Sequence, residues 1–122
     1  MSKKVLIVED DDFLKSLAVT KLVKEGFEVT ATGNIDEVNK ALETNAPEIV
    51  LLDLLLPGTD GFGILKKIRE NVSTAHVPVI IFSNLSEESD IKKAQELGAN
   101  YFMVKSNFTL DELVAKIKEI AK

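Results

Sequence analysis

Two hydrophobic patterns alternate along the chain. Short apolar runs rich in β-branched residues are typical of strands buried on both faces, and they occur at Val5–Val8, around Val29–Ala31, and at Ile49–Leu52, Val79–Phe82 and Tyr101–Val104. Longer segments between and after these runs carry apolar residues at helical spacing, in stripes that start at Phe13, Ile35, Phe62, Ile91 and Leu110. The alternation predicts an α/β fold, in which helices cover both faces of one parallel sheet.

The residues between these runs predict where the helices begin and end. The sequences NIDE at Asn34–Glu37 and TLDE at Thr109–Glu112 have the pattern of a capping box, which starts a helix. Gly26 and Gly98 stand where a helix should stop, and glycine readily adopts the left-handed conformation of a helix end. Pro57, with the glycines and aspartate that follow it, predicts a loop leading into the third helix.

Polar residues that are able to bind a ligand or take part in a reaction stand at the ends of the predicted strands. The first strand ends in four acids, from Glu9 to Asp12, the third ends in Asp53, the fourth in Ser83 and the fifth in Lys105. In a parallel sheet the carboxyl ends of the strands share one edge, and ligands bind beyond it. The sequence therefore predicts that carboxylates, a hydroxyl and an amine meet at this edge.

Clustered carboxylates raise one another's pKa and destabilise a fold unless a cation lies among them. Mg²⁺ prefers oxygen ligands and binds one or two carboxylates while it keeps several waters. Glu9, Asp10 and Asp53 fit such an open magnesium site. Asp11 and Asp12 have a simpler interpretation as acids at the start of a helix, where they are favoured by the helix dipole. No such structural purpose is evident for Asp53.

Composition narrows the class of protein. The 122 residues suffice for one domain, residues 1–122, and 45% of them are hydrophobic. The absence of cysteine excludes disulfides and thiolate metal sites. A net charge of −5 argues against nucleic-acid binding. No apolar run has the length of a membrane span, and we expect a cytoplasmic protein.

Four motifs together resemble the receiver domain of two-component response regulators, over essentially the whole chain. These motifs are IVEDD after the first strand, DLLLPGTDG after the third, FSN after the fourth and YFMVK at the fifth. Each motif alone is a weak match, whereas all four in order are a specific one. The resemblance implies a flavodoxin-like (βα)5 fold with five parallel strands in the order 2-1-3-4-5, as in single-domain receivers of the chemotaxis type.

The resemblance also implies a role for each residue at the edge. Asp53 would accept a phosphoryl group from a histidine of a sensor kinase or phosphotransfer protein, and Mg²⁺ would be the cofactor. The metal ligands would be Glu9 (through water), Asp10, Asp53 and the backbone carbonyl of Leu55. Ser83 and Lys105 would bind phosphoryl oxygens, and Phe102 matches the switch aromatic of the family.

Signalling would then be a population shift between two packings. Movement of Ser83 toward the phosphoryl group, with Phe102 filling the space behind it, would change the face formed by the fourth helix, fifth strand and fifth helix. The domain would not be an enzyme in the usual sense, since it would catalyse only its own phosphorylation and slow autodephosphorylation. The downstream effector is unknown, and we expect no direct binding to nucleic acid or membrane.

The chain departs from the family at several positions. Ser106 replaces the proline that commonly follows the lysine through a cis bond, and a cis bond here would cost about 3–4 kcal/mol. Phe102 lacks the hydroxyl of the commoner tyrosine, which favours a buried rotamer. Asn84 is larger than the usual residue and would narrow access to the phosphoryl group. Leu55 and Leu85 would place apolar side chains near the attacking water, which predicts slow autodephosphorylation.

Other functions fit the sequence less well. A flavodoxin needs a hydroxyl-rich or glycine-rich phosphate loop where this chain has EDDD. A phosphatase of the haloacid dehalogenase type needs an acid two residues after the nucleophile, where Leu55 stands. The serious rival is a pseudo-receiver that acts as a protein interaction module without phosphorylation. His76, in a loop, is interpreted as a surface residue and not as a phosphohistidine or metal ligand.

Overall fold

A computed structural model describes residues 3–44 and 46–121, and the predicted alternation of strands and helices is confirmed. The five strands of the main sheet are β1 (Lys4–Val8), β2 (Glu28–Thr32), β3 (Ile49–Leu52), β4 (Val79–Ser83) and β5 (Tyr101–Val104). The five helices are α1 (Asp12–Lys24), α2 (Ile35–Thr44), α3 (Gly61–Glu70), α4 (Glu88–Glu96) and α5 (Leu110–Ile120). None of the helices found in the described residues is long and apolar enough to cross a membrane.

All neighbouring strands of the main sheet are parallel, and their order is β2-β1-β3-β4-β5. This is the predicted flavodoxin-like order. The register places Val8 opposite Leu52 and Ser83 opposite Val104, so the residues that follow β1, β3 and β5 emerge close to the end of β4. The topology therefore creates the functional edge that the sequence predicts.

Alternate residues of each strand face opposite sides of the sheet and contribute to two separate hydrophobic cores. On one face, Leu6, Val8 and Val50 pack with buried residues of α2, α3 and α4. On the other face, Val5 and Ile7 pack with buried residues of α1 and α5. Because both faces of every central strand are covered, these strands are apolar between Lys4 at the start of β1 and the polar residues at the carboxyl edge.

The predicted helix caps are present, with one difference in detail. Thr109 and Glu112 form a complete capping box at the start of α5. At the start of α2, the side chain of Asn34 accepts a hydrogen bond from the backbone N–H of Glu37, but the Glu37 carboxylate accepts from Gly33 and not from Asn34. Gly98 has a φ of 103° after α4, as a left-handed helix end requires.

Two features differ from the sequence interpretation. The loop after β3 contains a short antiparallel hairpin, in which Leu55–Leu56 pairs with Thr59–Asp60. The stripe assigned to α1 is only partly a core stripe, because Phe13 is 79% exposed and Leu17 also faces solvent. Apolar residues of this helix are spread around its whole circumference, so their spacing does not define a single buried face.

The end of β5 resolves the question raised by Ser106. No peptide bond among the described residues is cis, so the Lys105–Ser106 bond is trans. The chain turns through a short 3₁₀ helix, Lys105–Asn107, directly after the strand. Lys105 is the first residue of this turn.

Candidate functional site

The backbone at the carboxyl edge is fixed by hydrogen bonds that continue the sheet beyond its strands. The N–H of Glu9 donates to the carbonyl of Thr32 at 2.9 Å, and the N–H of Asp53 donates to the carbonyl of Val8 at 2.9 Å. Both acids are therefore held at the ends of their strands and not in mobile loops. Only 4% of the surface of each residue is exposed.

Both carboxylate oxygens of Asp53 have hydrogen-bond partners. The Oδ2 atom accepts from Nζ of Lys105 at 2.8 Å, and Oδ1 accepts from the backbone N–H of Leu55 at 2.9 Å. The bond from Leu55 is local, since the chain turns back into the hairpin two residues after the aspartate. A buried, oriented carboxylate next to a cation is an arrangement suited to a nucleophile.

Lys105 joins two acids that lie on different strands. Its Nζ is 2.8 Å from Oε1 of Glu9 as well as 2.8 Å from Oδ2 of Asp53. The lysine follows β5, and it reaches past the end of β4, where the chain has the short side chain of Ser83. The second carboxylate oxygen of Glu9 accepts from the backbone N–H of Asp11 at 3.1 Å. The cluster thus holds two carboxylates around one ammonium group.

Burial changes the acidity of both partners. It raises the pKa of Glu9, and the hydrogen bonds from Lys105 and Asp11 oppose this effect only in part. Burial acts to lower the pKa of Lys105, but hydrogen bonds to Asp53 and Glu9 outweigh it, so the pKa of the lysine is raised. Lys105 therefore stays charged at neutral pH.

The three acids predicted as metal ligands come together. Glu9, Asp10 and Asp53 each offer a carboxylate oxygen, and these oxygens all lie within 4.8 Å of one another. Asp10 is exposed, whereas the other two acids are buried, so the cluster opens to solvent on one side. An all-oxygen donor set with an open side fits a hard divalent cation that keeps part of its hydration shell.

Ser83 and two leucines surround the rest of the site. Ser83 is fully buried, and its Oγ accepts from the backbone N–H of Leu85 at 3.4 Å. Leu55 is 49% exposed, while Leu85 is partly buried. Both leucines and Asp10 line an open groove beside the carboxylates. Asn84, which follows the serine, is exposed. The groove next to the acidic cluster is therefore lined by both acidic and apolar side chains.

Phe102 lies apart from the carboxylates, on the side of the sheet covered by α4. Its side chain is partly buried and packs against the core that contains Ile81 and Ala94. The neighbouring Tyr101 points the other way, with its ring 4.5 Å from Nζ of Lys116 in α5. His76 is exposed in the loop before β4, as predicted. The site and Phe102 are thus connected through β4 and β5.

One contact at the site was not predicted from the sequence. Glu9 was interpreted as a group near the metal and Lys105 as a partner of the phosphoryl group, whereas the structure pairs them with each other. The strand order alone separates β1 from β5 by two strands, so only the reach of a lysine side chain brings them together. The predicted ligand role of the Leu55 carbonyl stays a prediction, since the contact that Leu55 makes with Asp53 uses its N–H.

Comparison with known proteins identifies one family. The family model for the response regulator receiver domain matches residues 5–118. The transcriptional regulatory protein KdpE of Staphylococcus aureus is 34% identical over 122 residues, which are all of this chain and 51% of that protein. The chain spans about half the length of the curated relatives that it matches.

Solved structures agree with this result. A response regulator from Chloroflexus aurantiacus superposes with a TM-score of 0.86 at 30% identity, covering 98% of both chains. The phosphorylated cyanobacterial phytochrome response regulator RcpA superposes with a TM-score of 0.82 at 29% identity, covering 98% of this chain and 91% of that chain. Both the sequence and the fold of the chain are similar to those of these proteins.

Proposed function

The chain belongs to the response regulator receiver domains, and we propose from this premise that it is a phosphoacceptor switch in two-component signalling. A carboxylate oxygen of Asp53 would attack the phosphorus atom of a phosphohistidine on a sensor kinase or phosphotransfer protein. The P–N bond breaks, a P–O bond to Asp53 forms, and the departing imidazole nitrogen takes up a proton. The product is an aspartyl phosphate.

The observation that supports this proposal most directly is the environment of Asp53. The carboxylate is buried, fixed on both oxygens, and adjacent to one cation. Phosphoryl transfer depends mainly on positioning and on neutralising the charge of the phosphoryl oxygens. Lys105 supplies positive charge and Ser83 supplies a hydroxyl donor at the same edge, so they are the expected partners of those oxygens.

The acidic cluster fits a magnesium ion, which Glu9, Asp10 and Asp53 would hold. When bound, such an ion supplies positive charge that stabilises the phosphoryl group during transfer. The Leu55 carbonyl is a further expected ligand. Because Lys105 already neutralises part of the charge on Glu9 and Asp53, Asp10 is the acid that most needs a cation.

Phosphorylation would act on the output face through Ser83 and Phe102. A new group with about 1.5–2 negative charges at Asp53 would draw Ser83 and Lys105 toward it. Ser83 ends the strand that pairs with Phe102, and Lys105 follows the strand that contains it. The side chain of Phe102 packs against the core on the side of the sheet covered by α4. The face formed by α4, β5 and α5 would change its packing, as a two-state switch.

The same site would hydrolyse its own phosphoryl group slowly. Leu55 and Leu85 line the groove through which a water molecule would approach the phosphorus atom, and neither can orient that water by hydrogen bonding. Replacing Leu55 by asparagine would supply a polar group there and shorten the lifetime of the aspartyl phosphate. A wild-type lifetime of only seconds would contradict this interpretation.

One experiment tests the central proposal. The purified domain is titrated with Mg²⁺ and beryllofluoride, a phosphoryl mimic, and amide NMR shifts are followed beside an Asp53→Asn variant. We expect shifts at Asp10, Ser83 and Lys105 that require Mg²⁺ and disappear in the variant. Asp60→Asn is a matched control, because Asp60 lies at the same edge and asparagine still caps α3.

One observation favours a second candidate function. Lys105 satisfies Glu9 and Asp53 without any metal or phosphate, so the edge could persist in a pseudo-receiver that serves only as an interaction module. The titration with Mg²⁺ and beryllofluoride distinguishes a phosphoacceptor from an interaction module. Absence of any response at saturating Mg²⁺ and beryllofluoride, with no mass gain after incubation with the small phosphodonor phosphoramidate, would establish the interaction module.

A further inference from the structure

The two ends of α4 are held very differently. Each of the other four helices has a residue just before it whose side-chain oxygen accepts a hydrogen bond from the backbone of its first turn: Asp11, Asn34, Asp60 and Thr109. Glu87, which precedes α4, makes no such bond. Among the helices that the structure describes, α4 alone begins without a side-chain cap.

Burial along α4 is equally uneven. Ala94 is its only buried residue. In its first turn, Glu88 and Ser89 are exposed, and Asp90 and Ile91 are only partly buried. The preceding loop, from Asn84 to Glu87, is exposed except for Leu85. The amino end of α4 therefore contains no fully buried residue, and Leu85 in the loop before it is the nearest residue that packs against the core.

The carboxyl end of α4 is fixed by its own backbone. The N–H of Gly98 donates to the carbonyl of Gln95 at 3.0 Å, and the N–H of Ala99 donates to the carbonyl of Ala94 at 2.9 Å. Gly98 has the left-handed conformation that this arrangement requires. A Cβ atom at this position would lie 2.8 Å from Nε of Arg69, so a larger residue does not fit without movement of the arginine.

Arg69, the single arginine of the chain, fastens this end to the rest of the fold. Its Nε and Nη2 donate to the carbonyl of Gly98 at 3.0 and 2.7 Å, and Nη2 also donates to Oδ1 of Asn100 at 2.8 Å. Its Nη1 donates to the carbonyl of Val77 at 2.6 Å, with longer bonds to the carbonyls of Thr74 and Ala75. All three guanidinium nitrogens of Arg69 therefore donate hydrogen bonds.

These bonds link the two segments that enter β4 and β5. Oδ1 of Asn100 also accepts from the N–H of Val79 at 2.8 Å, so the same oxygen joins Arg69 to the first residue of β4. We name the guanidinium of Arg69 with its acceptors in residues 74–77 and 98–100 the Arg69 clamp. Within residues 3–44 and 46–121, no carboxylate pairs with Arg69 in place of these acceptors.

We propose that α4 is anchored only at its carboxyl end, by the Arg69 clamp, and opens from its amino end about that anchor. Its use in signalling rests on the function proposed above: the amino end of α4 lies after Ser83, so a change at the serine would move the free end and leave Gly98 in place. Arg69 would then be a positioning residue, which acts on the output face from the edge of the sheet opposite Asp53.

Hydrogen exchange of the free domain, with no ligand, tests the anchoring. Ile91 and Lys15 are matched amides, because each donates to the residue that precedes its helix, and only Lys15 belongs to a capped helix. We expect Ile91 to exchange at least about tenfold faster than Lys15 and than Ala99 at the anchored end. Equal exchange rates along α4 would overturn the proposal.

Two variants make the test specific. Glu87→Ser supplies the missing cap and should slow exchange of Ile91 by about fivefold without changing Ala99. Arg69→Lys keeps the charge but cannot bridge both segments, so Ala99 should exchange faster by about tenfold while Lys15 is unchanged. Lys66→Gln, on the exposed side of α3, is the charge control. If Arg69→Lys does not fold, the wild-type gradient and Glu87→Ser still decide the matter.

A parallel titration keeps this proposal separate from the proposed function. With Mg²⁺ and beryllofluoride, amide shifts should decrease along α4 from Ile91 to Ala99. Shifts as large at Ala99 as at Ile91 would overturn the pivot even if the phosphoacceptor site is real. Failure of beryllofluoride to bind would count against the phosphoacceptor function, while the exchange gradient of the free domain would still establish or refute the one-ended anchor.

Discussion

Each edge of the sheet holds a partly buried cation, and the two cations have different kinds of partner. At the carboxyl edge, Lys105 lies 2.8 Å from carboxylate oxygens of both Glu9 and Asp53. At the amino edge, every acceptor of Arg69 within residues 3–44 and 46–121 is a neutral oxygen: four backbone carbonyls and the side chain of Asn100. Carboxylates can exchange one cation for another, whereas the carbonyls around Arg69 match the planar geometry of a guanidinium. The first contact is therefore suited to switching and the second to anchoring.

The largest expected effect comes from removing the exchangeable cation. Lys105→Met would leave Glu9 and Asp53 buried without their ammonium partner, and breaking a buried pair typically costs about 3–5 kcal/mol of unfolding free energy. We expect a loss near the lower limit, because the site is open to water on the side of Asp10. Added Mg²⁺ should restore part of this loss, since a divalent ion can take the place of the lysine charge.

Urea unfolding followed by circular dichroism, with and without Mg²⁺, measures both parts of this prediction. Wild-type protein provides the reference for the effect of the metal alone. If the Lys105→Met variant is as stable as wild type without Mg²⁺, the lysine does not compensate the two carboxylates, and the exchangeable contact is absent.

Removal of the anchoring cation Arg69 should lower the free energy of unfolding by somewhat less than Lys105→Met does. Added Mg²⁺ should not restore this loss. Arg69→Met would leave several carbonyl oxygens without donors, and unsatisfied buried groups cost about 1–3 kcal/mol. The same unfolding experiment should show no gain from Mg²⁺ beyond that of wild type. Lys66→Met, a neighbouring exposed position on α3, should change stability by less than about 0.5 kcal/mol. Recovery of the Arg69→Met variant by Mg²⁺ would contradict the distinction between the two cations.

The two edges also differ in how far the sequence predicts them. The position of the carboxyl edge is predictable because each candidate site residue ends or directly follows an apolar run, and a parallel sheet brings those positions together whatever lies between them. Asp53 and Ser83 are found in this way. The fold itself follows from the same alternation of apolar runs and helical stripes.

Contacts made by long side chains are not predictable in this way. Lys105 reaches Glu9 past two intervening strands, and Arg69 joins two loops that are separated by the whole of β4 and α4. Such contacts depend on tertiary distances, which sequence periodicity does not contain. The exposure of Phe13 escaped prediction for another reason. A helix whose apolar residues are spread around its whole circumference gives no signal of which face is buried.

The pH dependence of stability sharpens the assignment of Lys105. Its folded-state pKa is raised by Asp53 and Glu9, so the folded domain holds this proton more tightly than the unfolded chain. The resulting stability is fully present below the unfolded pKa of about 10.4 and is lost as the pH rises through the higher folded value. Unfolding experiments should therefore show a decline above about pH 10.4 that Lys105→Met lacks. Identical alkaline curves for the two proteins would rule out this linkage.

The smallest effect concerns a third cation, whose partner is an aromatic ring. Nζ of Lys93, in the second half of α4, lies 4.4 Å from the centre of the Phe62 ring on α3. An exposed contact of this kind is worth about 0.5–1 kcal/mol, so Lys93→Gln should destabilise the domain by about 0.5 kcal/mol. Lys116→Gln in α5 is the control, and it removes the similar contact with the Tyr101 ring together with a 3.9 Å ion pair to Glu119. Because Lys93 lies on the anchored side of α4, its loss should speed exchange of Leu97 and leave Ile91 unchanged. A change confined to Ile91 would show that the amino end of α4 is held through Phe62, and the contrast between an anchored and a free end would fail.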